Sequence, residues 1–137
     1  PTQPQFYPSR EIYAGLVLKA VRASGWDPSR IMLQSFDIGI LETLRAQGAD
    51  YRMSPLLSDA KDGIATARRL RADTVTPHYG QVNSEMVRQF HEAGLRIVPW
   101  TVNDVEEAKR LIDLGVDGIA TDRLDLFLFA KNFCARK

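Results

Sequence analysis

Two short apolar runs, each stopping abruptly in polar residues and separated by a stretch of helical spacing, constrain this chain most. The first is Leu95-Arg96-Ile97-Val98-Pro99-Trp100-Thr101-Val102-Asn103-Asp104 and the second is Gly115-Val116-Asp117-Gly118-Ile119-Ala120-Thr121-Asp122. Between them, residues 105–114 carry apolar positions at a helical period, so the whole reads as strand, helix, strand. A connection of that kind joins parallel strands, because a hairpin turn is too short to bring the chain back to the same end of the sheet. Parallel sheets of α/β proteins gather polar, chemistry-bearing residues at the carboxyl ends of their strands. Trp100, Thr101 and Asn103 occupy one such tip, Thr121 and Asp122 the next.

The same order of strand, polar tip and amphipathic helix recurs along the chain at a spacing close to 20 residues. It predicts parallel strands near residues 31–35, 51–53, 74–76, 96–102 and 118–121, with a helix after each. Asp37 is placed to cap a helix whose stripe is Ile38, Leu41 and Leu44, with Gly48 at its end. Pro55 argues that the second strand is weak or irregular. Ser58 or Asp59 is expected to cap a helix carrying Ile64, Ala67 and Leu70. Asn83 or Ser84 is expected to start one carrying Met86, Val87 and Phe90, with Gly94 closing it. Ahead of all these, Ser9 caps a helix predicted to bury Ile12, Leu16 and Ala20. A last helix is expected over residues 124–133. Sequential βα units of this kind form either an open doubly wound sheet or part of an eight-stranded (β/α)8 barrel, the TIM barrel. No glycine-rich dinucleotide loop or P-loop is present to favour the open sheet.

Composition narrows the function classes. The 137 residues suit a single domain, and 45% hydrophobic with 26% charged residues is ordinary for a globular protein. The net charge is +1 with both signs interspersed, so no field points to nucleic acid. No apolar run approaches the ~18 residues of a membrane span. Cys134 is the only cysteine, which leaves no intrachain disulfide and no cysteine metal site. The chain opens on Pro1-Thr2-Gln3-Pro4-Gln5, which reads as mid-loop and suggests a piece of something longer; the expected compartment is the cytoplasm.

With Trp100-Thr101-Val102-Asn103-Asp104 and the downstream Gly115-to-Asp122 run in place, the sequence resembles the glycerophosphodiester phosphodiesterases. Ser35-Phe36-Asp37 after an apolar strand is similar to an earlier motif of that family. The resemblance covers residues 9–125. It implies a TIM barrel in which these are the fourth to eighth strands. It also implies hydrolysis of glycerophosphodiesters to glycerol 3-phosphate and an alcohol, a divalent cation, Ca²⁺ or Mg²⁺, and a pair of catalytic histidines. The family's His-Arg-Gly and Glu-x-Asp motifs, which would carry those histidines and metal carboxylates, do not occur in this sequence, and its Glu-x-Lys strand is missing too, since Glu107-Ala108-Lys109 lies in a predicted helix. The chain alone is therefore expected to bind no metal and to be inactive.

What remains is expected to supply substrate-pocket walls. Trp100 is read as a wall, offering a flat apolar face and an N–H donor, rather than as a core aromatic. Phe36 is either pocket wall or core plug. Ser35 is read as a hydrogen-bond organiser, because no His-Asp pattern makes it a nucleophile. Asn103, or Asp104 beside it, is placed to cap the helix that follows. Asp122 is expected to cap or to orient neighbours, since a bare carboxylate repels phosphate. His78 sits at a strand tip and could face the mouth, whereas His91 reads as a solvated surface group. The expected partners are a small phosphodiester substrate and the amino-terminal part of the barrel or a second copy. Interior Ile, Val and Leu side chains left wet would make a free monomer unstable. A different class of reading is a catalytically silent half-barrel that binds a polyol phosphate or another protein.

Overall fold

The computed structural model describes residues 8–123 and Asp125. The expected last helix, apart from Asp125, lies outside these residues, as do the opening stretch and Cys134. Helix α1 (Arg10–Ala23) leads through a 3-10 turn (Pro28–Arg30) to strand β1 (Met32–Ser35). Then follow α2 (Ile38–Ala46), β2 (Arg52–Leu57), α3 (Gly63–Leu70) and β3 (Thr74–Pro77). A second 3-10 turn (Tyr79–Gln81), α4 (Ser84–Glu92), β4 (Arg96–Ile97) and α5 (Val105–Asp113) complete the described elements. No helix among the described residues is long and apolar enough to cross a membrane.

The strands pair in chain order, β1-β2-β3-β4, and every pair is parallel. A doubly wound sheet would reverse that order at a switch point and carry helices on both faces. Here the helices lie on one face. Met53 packs with Leu41, Leu44 and Leu70, and Leu33 lies against that cluster. Val75 and Ile97 pack with Val87, Phe90 and Leu111. Successive side chains of a strand point to opposite faces, so the residues between these form the other, concave face. Hydrogen bonds confirm the assignment: Gln34 Nε2 donates to Thr76 Oγ1 at 3.4 Å, and the Ser54 and Thr76 hydroxyls share a bond of 2.5 Å.

The concave face corrects one expectation. Its middle holds Gln34, Ser54, Thr76 and Val98, and its amino-terminal end holds Arg52, Thr74 and Arg96, both arginines paired with Asp73. Ile, Val and Leu do not dominate it. Polar groups bonded to one another can face water or a polar interior without the cost that wet aliphatic side chains carry, so wet Ile, Val and Leu side chains are not what would destabilise a free monomer.

Other differences have local causes. The buried stripe of α1 is Ala14 and Leu18, packed on α2, while Ile12, Leu16 and Ala20 are exposed. β2 is six residues long and the longest of the four strands, with Pro55 buried inside it. Pro55 gives up one ladder donor, and pairing with β3 takes up at Leu56↔Thr76 immediately after it. α3 begins at Gly63 with Asp62 at the cap position, so neither Ser58 nor Asp59 caps it. The regular part of β4 is only Arg96–Ile97, because Pro99 has no N–H to continue the ladder. The expected fifth strand is not a regular strand. Its backbone still runs beside the extension of β4, with Asp117 N–H donating to Ile97 O, Ala120 N–H to Pro99 O and Val102 N–H to Ala120 O at 2.8–3.0 Å. His91 is not simply solvated, since its Nε2 lies 2.9 Å from Asp117 Oδ2, which also accepts from Ile97 N–H.

Candidate functional site

The carboxyl ends of the strands bring three aromatic rings together on the concave face. Phe36 and Trp100 meet edge to face with centroids 4.8 Å apart, and His78 meets Trp100 in the same manner at 5.1 Å. Their common side follows from register. Phe36 stands two residues beyond Gln34, His78 two beyond Thr76, and His78 pairs with Trp100 in a parallel bridge. Pro77 and Pro99 precede His78 and Trp100, are fully buried on the helix side, and fix the backbone just before each ring. Trp100 N–H donates to Pro77 O and Tyr79 N–H to Trp100 O, which ties the two tips into one edge.

Phe36 is 55% exposed, so it is not a core plug. Trp100 is half-buried, and its Nε1 is buried with no partner among the described residues. The indole therefore presents ring carbons, and the N–H expected to serve as a donor points into the protein. Ser35 Oγ accepts from Asp37 N–H at 3.0 Å and shapes the turn that carries Phe36 outward. Asp37 stands at the cap position of α2 without a side-chain cap bond, because its carboxylate turns to Arg10 Nε at 3.1 Å. That hydrogen bond holds the Asp37 carboxyl below the usual carboxylate range.

Asn103 and Asp122 are joined. Asn103 Oδ1 accepts from Asp122 N–H at 2.9 Å and from Thr121 Oγ1 at 3.0 Å, while Asn103 Nδ2 donates to Asp122 Oδ2 at 3.1 Å. Capping of α5 falls to Asp104, whose Oδ1 accepts from Glu107 N–H at 2.9 Å. Asn103 and Asp122 thus clamp one strand tip to the next, and among the described residues no side-chain hydrogen bond joins them to the aromatic rings. Among the described residues no three of His, Cys, Asp or Glu gather as donors for a metal ion. The divalent cation implied by the resemblance therefore has no fitting donor set on them.

His78 was not counted among the site residues at the sequence level, although a signal for it exists. Ser54-Pro55-Leu56, Thr76-Pro77-His78 and Val98-Pro99-Trp100 are three copies of one pattern, each 22 residues after the last. Given Trp100 at the third position of one copy, His78 is its counterpart in another.

Comparison with known proteins agrees with this fold. A glycerophosphodiester phosphodiesterase of Caldanaerobacter subterraneus subsp. tengcongensis is 28% identical over 115 residues, covering 81% of this chain and 47% of that protein. The crystal structure of a glycerophosphodiester phosphodiesterase from Parabacteroides distasonis superposes with a TM-score of 0.78 at 20% identity, covering 98% of this chain and 55% of that one. An Oleispira antarctica phosphodiesterase, solved in complex with its product sn-glycerol-3-phosphate, gives a TM-score of 0.76 at 17% identity, covering 82% of this chain and 46% of that one. The chain spans about half the length of the curated relatives it matches. These likenesses and the singly wound sheet make the fold the α/β part of a TIM barrel. The glycerophosphoryl diester phosphodiesterase family matches residues 2–126, nearly the whole chain, and it is to this family of phosphoric diester hydrolases that the chain belongs.

Proposed function

We propose that this chain is the carboxyl-terminal part of the barrel of a hydrolase that cleaves glycerophosphodiesters to glycerol 3-phosphate and an alcohol, and that it supplies a wall of the substrate pocket. The observation that carries the reading is the edge-to-face row of Phe36, Trp100 and His78 at the carboxyl end of the concave face, the end at which barrels place their chemistry. Exposed ring faces suit the carbon skeleton of a polyol, and edge-to-face packing holds them in one arrangement before a ligand arrives. Ser35, Asn103 and Asp122 act behind this wall by fixing the turns that carry it. The glycerol 3-phosphate held by the Oleispira relative supports a ligand of this class.

Dependence on a divalent cation, Ca²⁺ or Mg²⁺, belongs to the reading, but the described residues do not gather its donors, and no step is assigned to it on this chain. The general acid and base that phosphodiester hydrolysis needs are likewise sought in the amino-terminal part of the barrel, the expected partner. The test has two arms. Incubated with glycerophosphocholine and either cation, the 137-residue chain should release no glycerol 3-phosphate; cation-dependent release would refute the division of labour. In a Trp26→Phe background, Trp100 emission should change saturably with added sn-glycerol 3-phosphate, and no response would remove the pocket-wall assignment.

A further inference from the structure

His78 differs from the two rings beside it in having a polar edge. Its Nδ1 accepts a hydrogen bond from Gly80 N–H at 3.2 Å. A nitrogen that accepts carries no proton, so the neutral ring bears its proton on Nε2. Among the described residues Nε2 has no hydrogen-bond partner, and it is not one of the buried orphan atoms, so it is open to a ligand. The ring is also held in place. It packs against Tyr79, tilted by 31° with centroids 4.6 Å apart, and meets Trp100 at 5.1 Å. A Cβ at residue 80 would come within 3.3 Å of Nδ1, so glycine there lets the backbone approach the ring.

Charge decides which part of a ligand this edge would meet. Phe36, Leu56, His78 and Trp100 include no permanent cation. The acidic groups at the strand tips are already engaged, Asp37 by Arg10 and Asp122 by Asn103. A phosphate group gains little from such a wall, whereas an uncharged hydroxyl can accept from a neutral N–H while its carbon rests on the rings. We infer that His78 is a specificity-determining residue whose Nε2–H donates to a hydroxyl of the polyol lying against Phe36 and Trp100. The inference rests on the pocket-wall reading above and deepens it by naming the atom that tells a polyol from a plain alkyl chain.

The experiment compares sn-glycerol 3-phosphate with propyl phosphate, which has the same carbon count and phosphate but no hydroxyls, by NMR titration of the full chain. The wild-type protein should prefer glycerol 3-phosphate by about fivefold, the size of one hydrogen bond between uncharged groups. His78→Phe keeps an aromatic face without the donor and should bind both ligands alike. His78→Gln, whose amide can accept from Gly80 N–H and still donate outward, should recover most of the preference. A long-range ¹H–¹⁵N spectrum should show the neutral His78 ring protonated on Nε2, whatever the stability of the variants. Preference retained in His78→Phe, equal binding of both ligands by the wild type, or a proton on Nδ1 would each overturn the inference and leave the pocket wall standing. Failure of the wild type to bind either ligand would instead remove the wall and the inference together.

Discussion

Leu33, Met53, Val75 and Ile97 point one way from the sheet, and Gln34, Ser54, Thr76 and Val98 point the other, although each is next to its opposite in sequence. The first set meets the helices and is packed dry: Met53, Val75 and Ile97 are fully buried in two clusters that together take in all five helices. The second set is largely polar and bonded to itself, with arginines below it and aromatic rings above. The contrast shows which face carries the stability. The helix side supplies the apolar burial that holds the chain together, and the concave side is free to carry a charged end, a hydroxyl ladder and the aromatic rim proposed above as a pocket wall.

Ile97→Ala should break the contrast most severely on the helix side, with a loss of about 2–5 kcal/mol in urea denaturation, since it opens a cavity among Val75, Leu111 and their neighbours. Its concave neighbour Val98→Ala should cost less than about 1 kcal/mol. Equal losses would show that the concave side is packed as a core as well. Gly63→Ala comes next. A Cβ there would sit 2.9 Å from Phe90 Cζ and 3.1 Å from Leu57 Cδ1, so overpacking should cost about 1–3 kcal/mol; an unchanged midpoint would show that the helix side has room.

Ser54→Ala probes the ladder. It leaves the buried Thr76 hydroxyl with only the long bond from Gln34 and should cost about 1 kcal/mol, while Ser54→Ala with Thr76→Val should recover part of it. Additive losses would mean that the pair is not coupled.

The smallest effect is electrostatic. At the two ends of the sheet, Asp37 and Asp73 both have carboxyl groups held below the ordinary range. For Asp37 the cause is the hydrogen bond from Arg10. For Asp73, burial pushes upward but is outweighed by Thr74 and Arg52 hydrogen bonds and the charges of Arg52 and Arg96. A folded pKa below the unfolded value of about 3.9 means that their stabilisation is complete above that pH and is lost as pH falls through the folded value. Arg10→Ala should therefore flatten the acid side of the stability profile slightly and leave its neutral-to-alkaline side unshaped. An unaltered acid limb would show that the exposed pair contributes nothing.

Much of the helix side was legible because its signals are local. The stripes of α2 through α5, the cap at Ser9, the start of α4 at Asn83 or Ser84, and the glycine stops at Gly48 and Gly94 all depend on residues within a turn or two of one another. The stripe of α1 was misread because apolar residues lie on two of its sides. Ile12 with Leu16 and Ala14 with Leu18 have the same spacing, and only the position of α2 chooses between them. Of the site, Trp100 and Phe36 could be named from their motifs, but their contact could not, since 64 residues separate them. His78 carries no family motif, and only the spaced proline pattern it shares with Trp100 marks it.

By itself, the sequence determined the order and kind of the units, the parallel direction of the strands and the family to which its motifs point, because periodicity, caps and short motifs are written in neighbouring residues. Tertiary structure alone decided that the sheet is singly wound, that Asn103 clamps Asp122 while Asp104 caps the helix, that Arg10 takes the Asp37 carboxylate, and that His78 joins the aromatic rim. Each of these turns on which of two competent partners lies within about 3–5 Å, and that distance is set only when strands some twenty residues apart have paired in one register.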